Sequence, residues 1–368
     1  MKRAALLLAL AGPGLAAGAP TPEALEDCVA RYPGADRAAE RKACFASLLA
    51  PAAPAASPPV AAPAATTPRA AVPPPVATRD IAHVTGEGAS QFRRLWGGEA
   101  ERSAWRVGEY QPVYFLPAWV ARDPNRNPTR VNDPASAVAQ PDRQATEAKF
   151  QLSFKGHLWP KDDRGAHDLW FAYTQVSHWQ LWNDEASRPF RESSYEPEIL
   201  YTYEPKALSV GGWTIGHLGL SLNHNSNGRG GDLSRSWNRV IAFARAERGA
   251  TLVTLRGWSR FKETGLDDNP RIEDYYGRAD LQVSHAFAGG WLLSGTGRHS
   301  LRGGSRSRGS LQLDLSGPFC RATAASGLCP DDSLRAYAQA FYGYAESLVD
   351  YNYKDAYFGI GFSIGGSR

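Results

Sequence analysis

The sequence predicts an all-β protein: a 12-stranded antiparallel transmembrane β-barrel, preceded by a small N-terminal helical Cys-pair module and a Pro/Ala linker. Three observations carry this expectation. The chain opens on an export signal, yet no later stretch reaches the roughly 18 apolar residues that a membrane-spanning helix needs. Aromatics are plentiful, with 11 Trp, 15 Tyr and 14 Phe against a single Met, and barrels place Trp and Tyr in girdles at both membrane interfaces. From residue 110 onward, segments of apolar–polar alternation follow one another, which is the period of a half-buried strand. The net charge of +4 is mild, and no basic cluster is dense enough to suggest nucleic acid.

Residues 1–19 read as a signal peptide: Lys2 and Arg3 precede a short Leu/Ala run, and small residues follow at 16–19. That pattern is too short for an anchor and marks an exported chain. Residues 20–50 are helix-prone and carry Cys28 and Cys44, a natural disulfide pair in an exported protein. Residues 51–78 are almost all Ala and Pro; such a segment buries no core and forms an extended linker. The main domain spans 90–368. Its candidate strands are 110–120, 146–159, 167–180, 196–204, 212–225, 236–248, 251–263, 273–287, 291–301, 307–316, 334–347 and 356–365. An even number closes an antiparallel sheet with both ends on one side. Cys320 and Cys329 bracket the turn before the eleventh strand and are a second disulfide candidate. Neither pair has His at zinc-ligand spacing. The structural alternative is a soluble β-sandwich, in which strands this long and this rich in interface aromatics are unusual.

One stretch breaks the pattern. In 223–239, NHNSNGRGGDLSRSWNR, His224 and Ser226 continue the apolar face of Leu218, Leu220 and Leu222. In a barrel that face meets lipid, where polar groups are unfavourable. A hairpin centred near Gly231 sets His224 opposite Asn238 and Ser226 opposite Ser236, and directly opposed residues have Cβ atoms only about 4.5–5.5 Å apart. Ser226 and His224 are neighbours on one face, so the hairpin offers a nucleophile, a base and an orienting group. The orienter is an amide, which avoids burying a further anion at a membrane surface. The bland reading is a polar strand end entering a hydrophilic loop. A second serine, in Gly361-Phe362-Ser363-Ile364-Gly365, matches the G-x-S-x-G pattern, but that motif needs a turn into a helix, and the segment reads as strand alternation.

The stretches N-H-N-S-N-G-R and S-R-S-W-N-R resemble the active-site hairpin of the outer-membrane phospholipase A family. Residues 187–197, SRPFRESSYEP, and 344–353, YAESLVDYNY, are similar to two further stretches of that family. The likeness covers about 105–365. It implies a 12-stranded barrel in the bacterial outer membrane with a Ser-His-Asn site facing the outer leaflet. Ser226 would be the nucleophile, His224 the base and Asn238 the residue that orients His224. It also implies Ca2+, held by the Arg229 carbonyl, the Ser234 hydroxyl and an oxygen of Ser187 from a partner barrel. Gln175 matches the polar residue buried at the family's dimer interface. The implied activity is hydrolysis of sn-1 and sn-2 acyl esters of phospholipids and lysophospholipids (phospholipase A1 and A2) by a homodimer that rests as a monomer. Two readings compete: a non-enzymatic porin or scaffold barrel with a degenerate site, and a soluble secreted esterase.

Overall fold

The alternating segments pair in sequence order. The computed structural model describes residues 107–159, 167–205, 208–261, 267–318 and 334–364, together with isolated positions between Asp27 and Cys44. Twelve long strands are β1 (Val113–Ala121), β2 (Thr146–Trp159), β3 (His167–Trp179), β4 (Phe190–Tyr203), β5 (Trp213–Ser226) and β6 (Ser236–Arg248), then β7 (Thr251–Arg260), β8 (Ala279–Ala286), β9 (Leu292–His299), β10 (Gly309–Pro318), β11 (Leu334–Tyr344) and β12 (Lys354–Ile364). Each pairs antiparallel with the next, and β12 pairs with β1. The sheet therefore closes on itself and leaves no edge. Two short strands, Val107–Gly108 and Ser209–Val210, add to β2 and β5.

Alternation decides which face is which. Leu311, Leu313 and Leu315 on β10, and Phe358, Ile360, Phe362 and Ile364 on β12, are exposed on the outside. Their neighbours Asp314, Tyr357 and Ser363 point inward. An exposed apolar belt around a closed barrel is stable in hydrocarbon, where every strand N–H and C=O already has its partner. Ser363 lies buried in β12 with its hydroxyl 3.3 Å from that of Ser316. It stands on a strand inside the barrel, with no turn into a helix after it within the described residues.

The segments 122–145, 180–189, 227–235, 261–278, 300–308 and 345–353 all connect strands at one end of the barrel. Several fold inward there. Trp237, Ile241 and Trp258 of the wall pack with Val131, Ile272, Leu348 and Tyr351 from the loops. Charged side chains are also buried inside the barrel. Arg191 donates to both Glu147 oxygens, at 2.9 and 2.7 Å, and to Asp350 at 3.1 Å. Lys149 and His178 each donate to Glu346, at 2.9 Å.

Several strand limits depart from the expected ones, among them the start of β1 at Val113 rather than 110 and the end of β7 at Arg260 rather than 263, and three of the shifts follow from partners that capture the chain. β4 begins at Phe190 rather than at 196. A bulge between His178↔Glu192 and Trp179↔Phe190 lets Arg191 and Glu192 both turn inward, where Glu192 accepts the Val349 N–H. The bulge adds one residue without ending the strand. β11 stops at Tyr344 rather than 347, since Ala345 takes a positive φ of 59° and delivers Glu346 to Lys149. β8 starts at Ala279 rather than 273, because Ile272–Asp274 forms a short 3-10 turn that buries Ile272 in the loop cluster.

The chain divides into two units, Met1–Arg79 and Asp80–Arg368. In the first, Asp27 and Arg31 form an i,i+4 ion pair and Cys44 is disulfide-bonded. The expected signal peptide, the linker, Cys28, Cys320 and Cys329 lie outside the described residues.

Candidate active site

His224 stands opposite Asn238, and Ser226 opposite Ser236, across the β5–β6 ladder. The His224 Nδ1 is 2.8 Å from Asn238 Oδ1. An amide oxygen only accepts, so Nδ1 carries the proton and Nε2 keeps its lone pair. The alternation of β5 puts His224 and Ser226 on the face of Leu218, Leu220 and Leu222, which are 38%, 54% and 56% exposed. The three groups are thus on the lipid-facing surface, at the end of the barrel that carries the long loops. No hydrogen bond joins Ser226 to His224 among the described residues. Such a contact commonly tightens only when substrate arrives.

The hairpin beyond Ser226 is organised by Asn227. Its side chain donates to the Leu233 carbonyl at 2.8 Å and accepts the Arg235 N–H at 3.0 Å. Gly228 sits at φ 63° against the Tyr195 ring, a conformation and a closeness that suit glycine. Arg235 is fully buried, donates to the carbonyls of Asp232 and Ser234, and lies over the Tyr351 ring. Burial pushes the Tyr351 phenol up to about 12, so it stays a donor to the Pro270 carbonyl at 3.2 Å. Asn227 and Arg235 were not singled out by sequence reasoning. Both act on backbone carbonyls and N–H groups, which leave no pattern in a sequence.

The residues expected to hold calcium lie close by in part. Arg229 belongs to the hairpin, and its guanidinium donates to the carbonyls of Phe190 and Arg191. The Ser234 hydroxyl donates to Asp268 at 2.6 Å. Ser187 stands apart, exposed on the β3–β4 loop with φ 59°. Among the described residues, no three His, Cys, Asp or Glu side chains gather as a metal group. A cation here would need carbonyl and hydroxyl oxygens, and the Ser234–Asp268 pair supplies hard oxygens of the kind calcium takes. Asp232 is turned away to Arg130 at 3.3 Å.

Gln175 lies on the outer face two strands from Ser226, since it pairs with Tyr195 and Tyr195 pairs with Ser226. Tyr173 donates to its amide oxygen at 3.0 Å, and its amide donates to Ser177 at 3.1 Å. Ser177 is in turn 2.8 Å from Ser193. A polar string therefore crosses an otherwise apolar belt beside the site.

Fold and surface define an outer-membrane β-barrel that presents a hydroxyl, an imidazole and an amide to lipid. A family model described as phospholipase A1 matches residues 94–364. The phospholipase A1 of Klebsiella pneumoniae is 35% identical over 256 residues, 69% of this chain and 81% of the relative. That of Escherichia coli is 37% identical over 220 residues, 58% of this chain and 68% of the relative. A putative phospholipase A1 of Neisseria meningitidis is 34% identical over 261 residues, 69% of this chain but 64% of the relative's length. Among solved structures, outer membrane phospholipase A from Escherichia coli superposes with a TM-score of 0.62 at 30% identity, covering 76% of this chain and 98% of that one. The Salmonella typhi outer membrane phospholipase, a dimer with bound calcium, gives 0.62 at 29%, covering 77% and 100%.

The chain belongs to the phospholipase A1 family. It is accordingly a phospholipase of the bacterial outer membrane, crossing it with twelve strands.

Proposed function

We propose that this chain hydrolyses sn-1 and sn-2 acyl esters of phospholipids and lysophospholipids at Ser226, in the outer leaflet, as a calcium-dependent homodimer. The observation that carries the reading is the His224–Asn238 hydrogen bond on the same lipid-facing surface as Ser226. Long loops cluster at the external end of outer-membrane barrels, which supports a site that faces the outer leaflet.

The chemistry follows from the tautomer. His224 Nε2 takes the Ser226 proton as Oγ attacks the ester carbonyl, and then gives that proton to the departing glycerol oxygen. The acyl group is left on Oγ. Water, deprotonated by the same nitrogen, attacks the acyl carbon, releases fatty acid and restores the Ser226 hydroxyl. Asn238 holds the ring while its positive charge comes and goes. The Arg229 carbonyl and the Ser234 hydroxyl would hold calcium together with Ser187 of the partner subunit. When bound, the cation supplies positive charge for the carbonyl oxygen. The Gln175 string offers the partner barrel polar groups next to the site, and polar side chains that meet in lipid hold barrels together.

The test is fatty-acid release from phospholipid–detergent micelles, with calcium and with excess chelator, for wild type and Ser226→Ala. The reading expects calcium-dependent release by wild type and none by the variant, with both barrels folded. A Ser226→Ala barrel that keeps wild-type turnover removes the nucleophile.

A further inference from the structure

The strand that carries His224 and Ser226 has a gap in its pairing with its other neighbour. The β4–β5 ladder runs from Tyr203↔Leu218 to Glu198↔Asn223 and reappears only at Tyr195↔Ser226. By the same register the skipped residues, Glu196 and Pro197, stand opposite Asn225 and His224. Proline has no N–H to donate, so the His224 carbonyl has no ladder donor from β4 at this point, and the paired register is interrupted there.

A side chain spans the gap from inside. Glu196 points into the lumen. Its carboxylate accepts Asn223 Nδ2 at 2.8 Å, Asn225 Nδ2 at 3.3 Å and Arg239 Nη2 at 2.6 Å. Each donor is the chain neighbour of a site residue: Asn223 and Asn225 flank His224, Asn225 precedes Ser226, and Arg239 follows Asn238. Arg239 is itself held, with its guanidinium 4.2 Å from the Trp237 ring and 5.4 Å from both the Trp258 and Tyr276 rings. It also donates to Asn223 Oδ1 at 2.6 Å. One carboxylate thus joins β4, β5 and β6 behind the triad, where the β4–β5 ladder is interrupted.

We propose that Glu196 is a positioning residue: it compensates for the ladder bond that Pro197 cannot donate and so fixes Ser226, His224 and Asn238 relative to one another. The inference rests on the function proposed above. Glu196 touches no substrate. Its effect should appear in turnover and in serine reactivity, since displacements of an ångström at a reacting group cost up to about 10²-fold.

The experiment compares Glu196→Ala, Glu196→Gln and the pair Glu196→Ala/Pro197→Val. Wild type and Ser226→Ala serve as controls. Readouts are kcat and KM on micelles, the rate at which an alkylsulfonyl fluoride labels Ser226, and the heat-resistant folded fraction. Glu196→Ala should lower kcat and the labelling rate together, by about ten- to a hundredfold, with KM unchanged and the barrel folded. Glu196→Gln keeps an acceptor oxygen and should lose less. Pro197→Val restores an N–H to the ladder and should recover activity in the Glu196→Ala background. Wild-type kcat and labelling in Glu196→Ala, or no recovery from Pro197→Val, would overturn the proposal. If Glu196→Ala does not assemble, Asn225→Ala removes one donor and leaves the carboxylate paired. A lower kcat per folded barrel then supports the clamp, and an unchanged one overturns it. An active Ser226→Ala control would instead strike the site itself, whatever Glu196 does.

Discussion

His224 and Asn238 are 14 positions apart in the chain and directly opposed across β5 and β6, with imidazole Nδ1 2.8 Å from the amide oxygen. The bond fixes which ring nitrogen is free to act as base. Asn238→Ala should therefore reduce turnover about ten- to a hundredfold without abolishing it, because the loss is one of orientation. Asn238→Asp should retain part of the activity, since it accepts the same proton. Steady-state rates on micelles decide this, and an Ala variant with wild-type kcat removes Asn238 from the site.

Ser234→Ala should raise the calcium needed for half-maximal activity severalfold and leave the saturating rate near wild type. Its hydroxyl is engaged by Asp268 and is remote in role from the attack by Ser226. The check is a calcium titration of activity beside wild type. Superimposable curves exclude Ser234 as a ligand.

Gln175→Ala should weaken dimerisation by about fivefold, the equivalent of about 1 kcal/mol for one hydrogen-bonding side chain in lipid. The barrel itself should be intact, because the Gln175 side chain bonds Tyr173 and Ser177 on the outer surface and no other side chain among the described residues. Sedimentation in detergent with calcium reads the dimer fraction; no change counts against this face as the interface.

Arg191→Ala should be the most damaging of these to stability. It strips Glu147 of both its guanidinium bonds and Asp350 of one. Removing one partner of a buried ion pair costs about 3–5 kcal/mol. A lower thermal unfolding midpoint in micelles is expected, and an unchanged midpoint would show the luminal network to be dispensable.

The outer surface of the barrel was legible from sequence, and much of its interior was not. Leu218, Leu220, Leu222, His224 and Ser226 declare their common face because strand alternation is strictly local. The opposition of His224 to Asn238 follows from a short hairpin, which is local as well. The register of Arg191 and Glu192 was hidden because a bulge placed them, and the bulge answers to Glu147, Val349 and Asp350 in remote parts of the chain. Ala345 gave no sign of a strand end, since its positive φ is imposed by the loop that follows. The grip of Asn227 on the hairpin acts through backbone groups of Leu233 and Arg235, and that of Glu196 on three strands depends on how those strands pair; neither leaves a pattern in the sequence.

The ion pairs that link Arg191, Glu147, Glu346 and Lys149 across the interior also bear on the permeability of the cell envelope. Wider barrels with water-filled lumens conduct solutes. Here a hydrated ion passing the level of Arg191 would have to part buried charges from one another and from the loop that carries Glu346 and Asp350. A solute crossing the barrel would therefore meet the same ion pairs that hold the loops in place, and parting them would also loosen the loop end of the barrel.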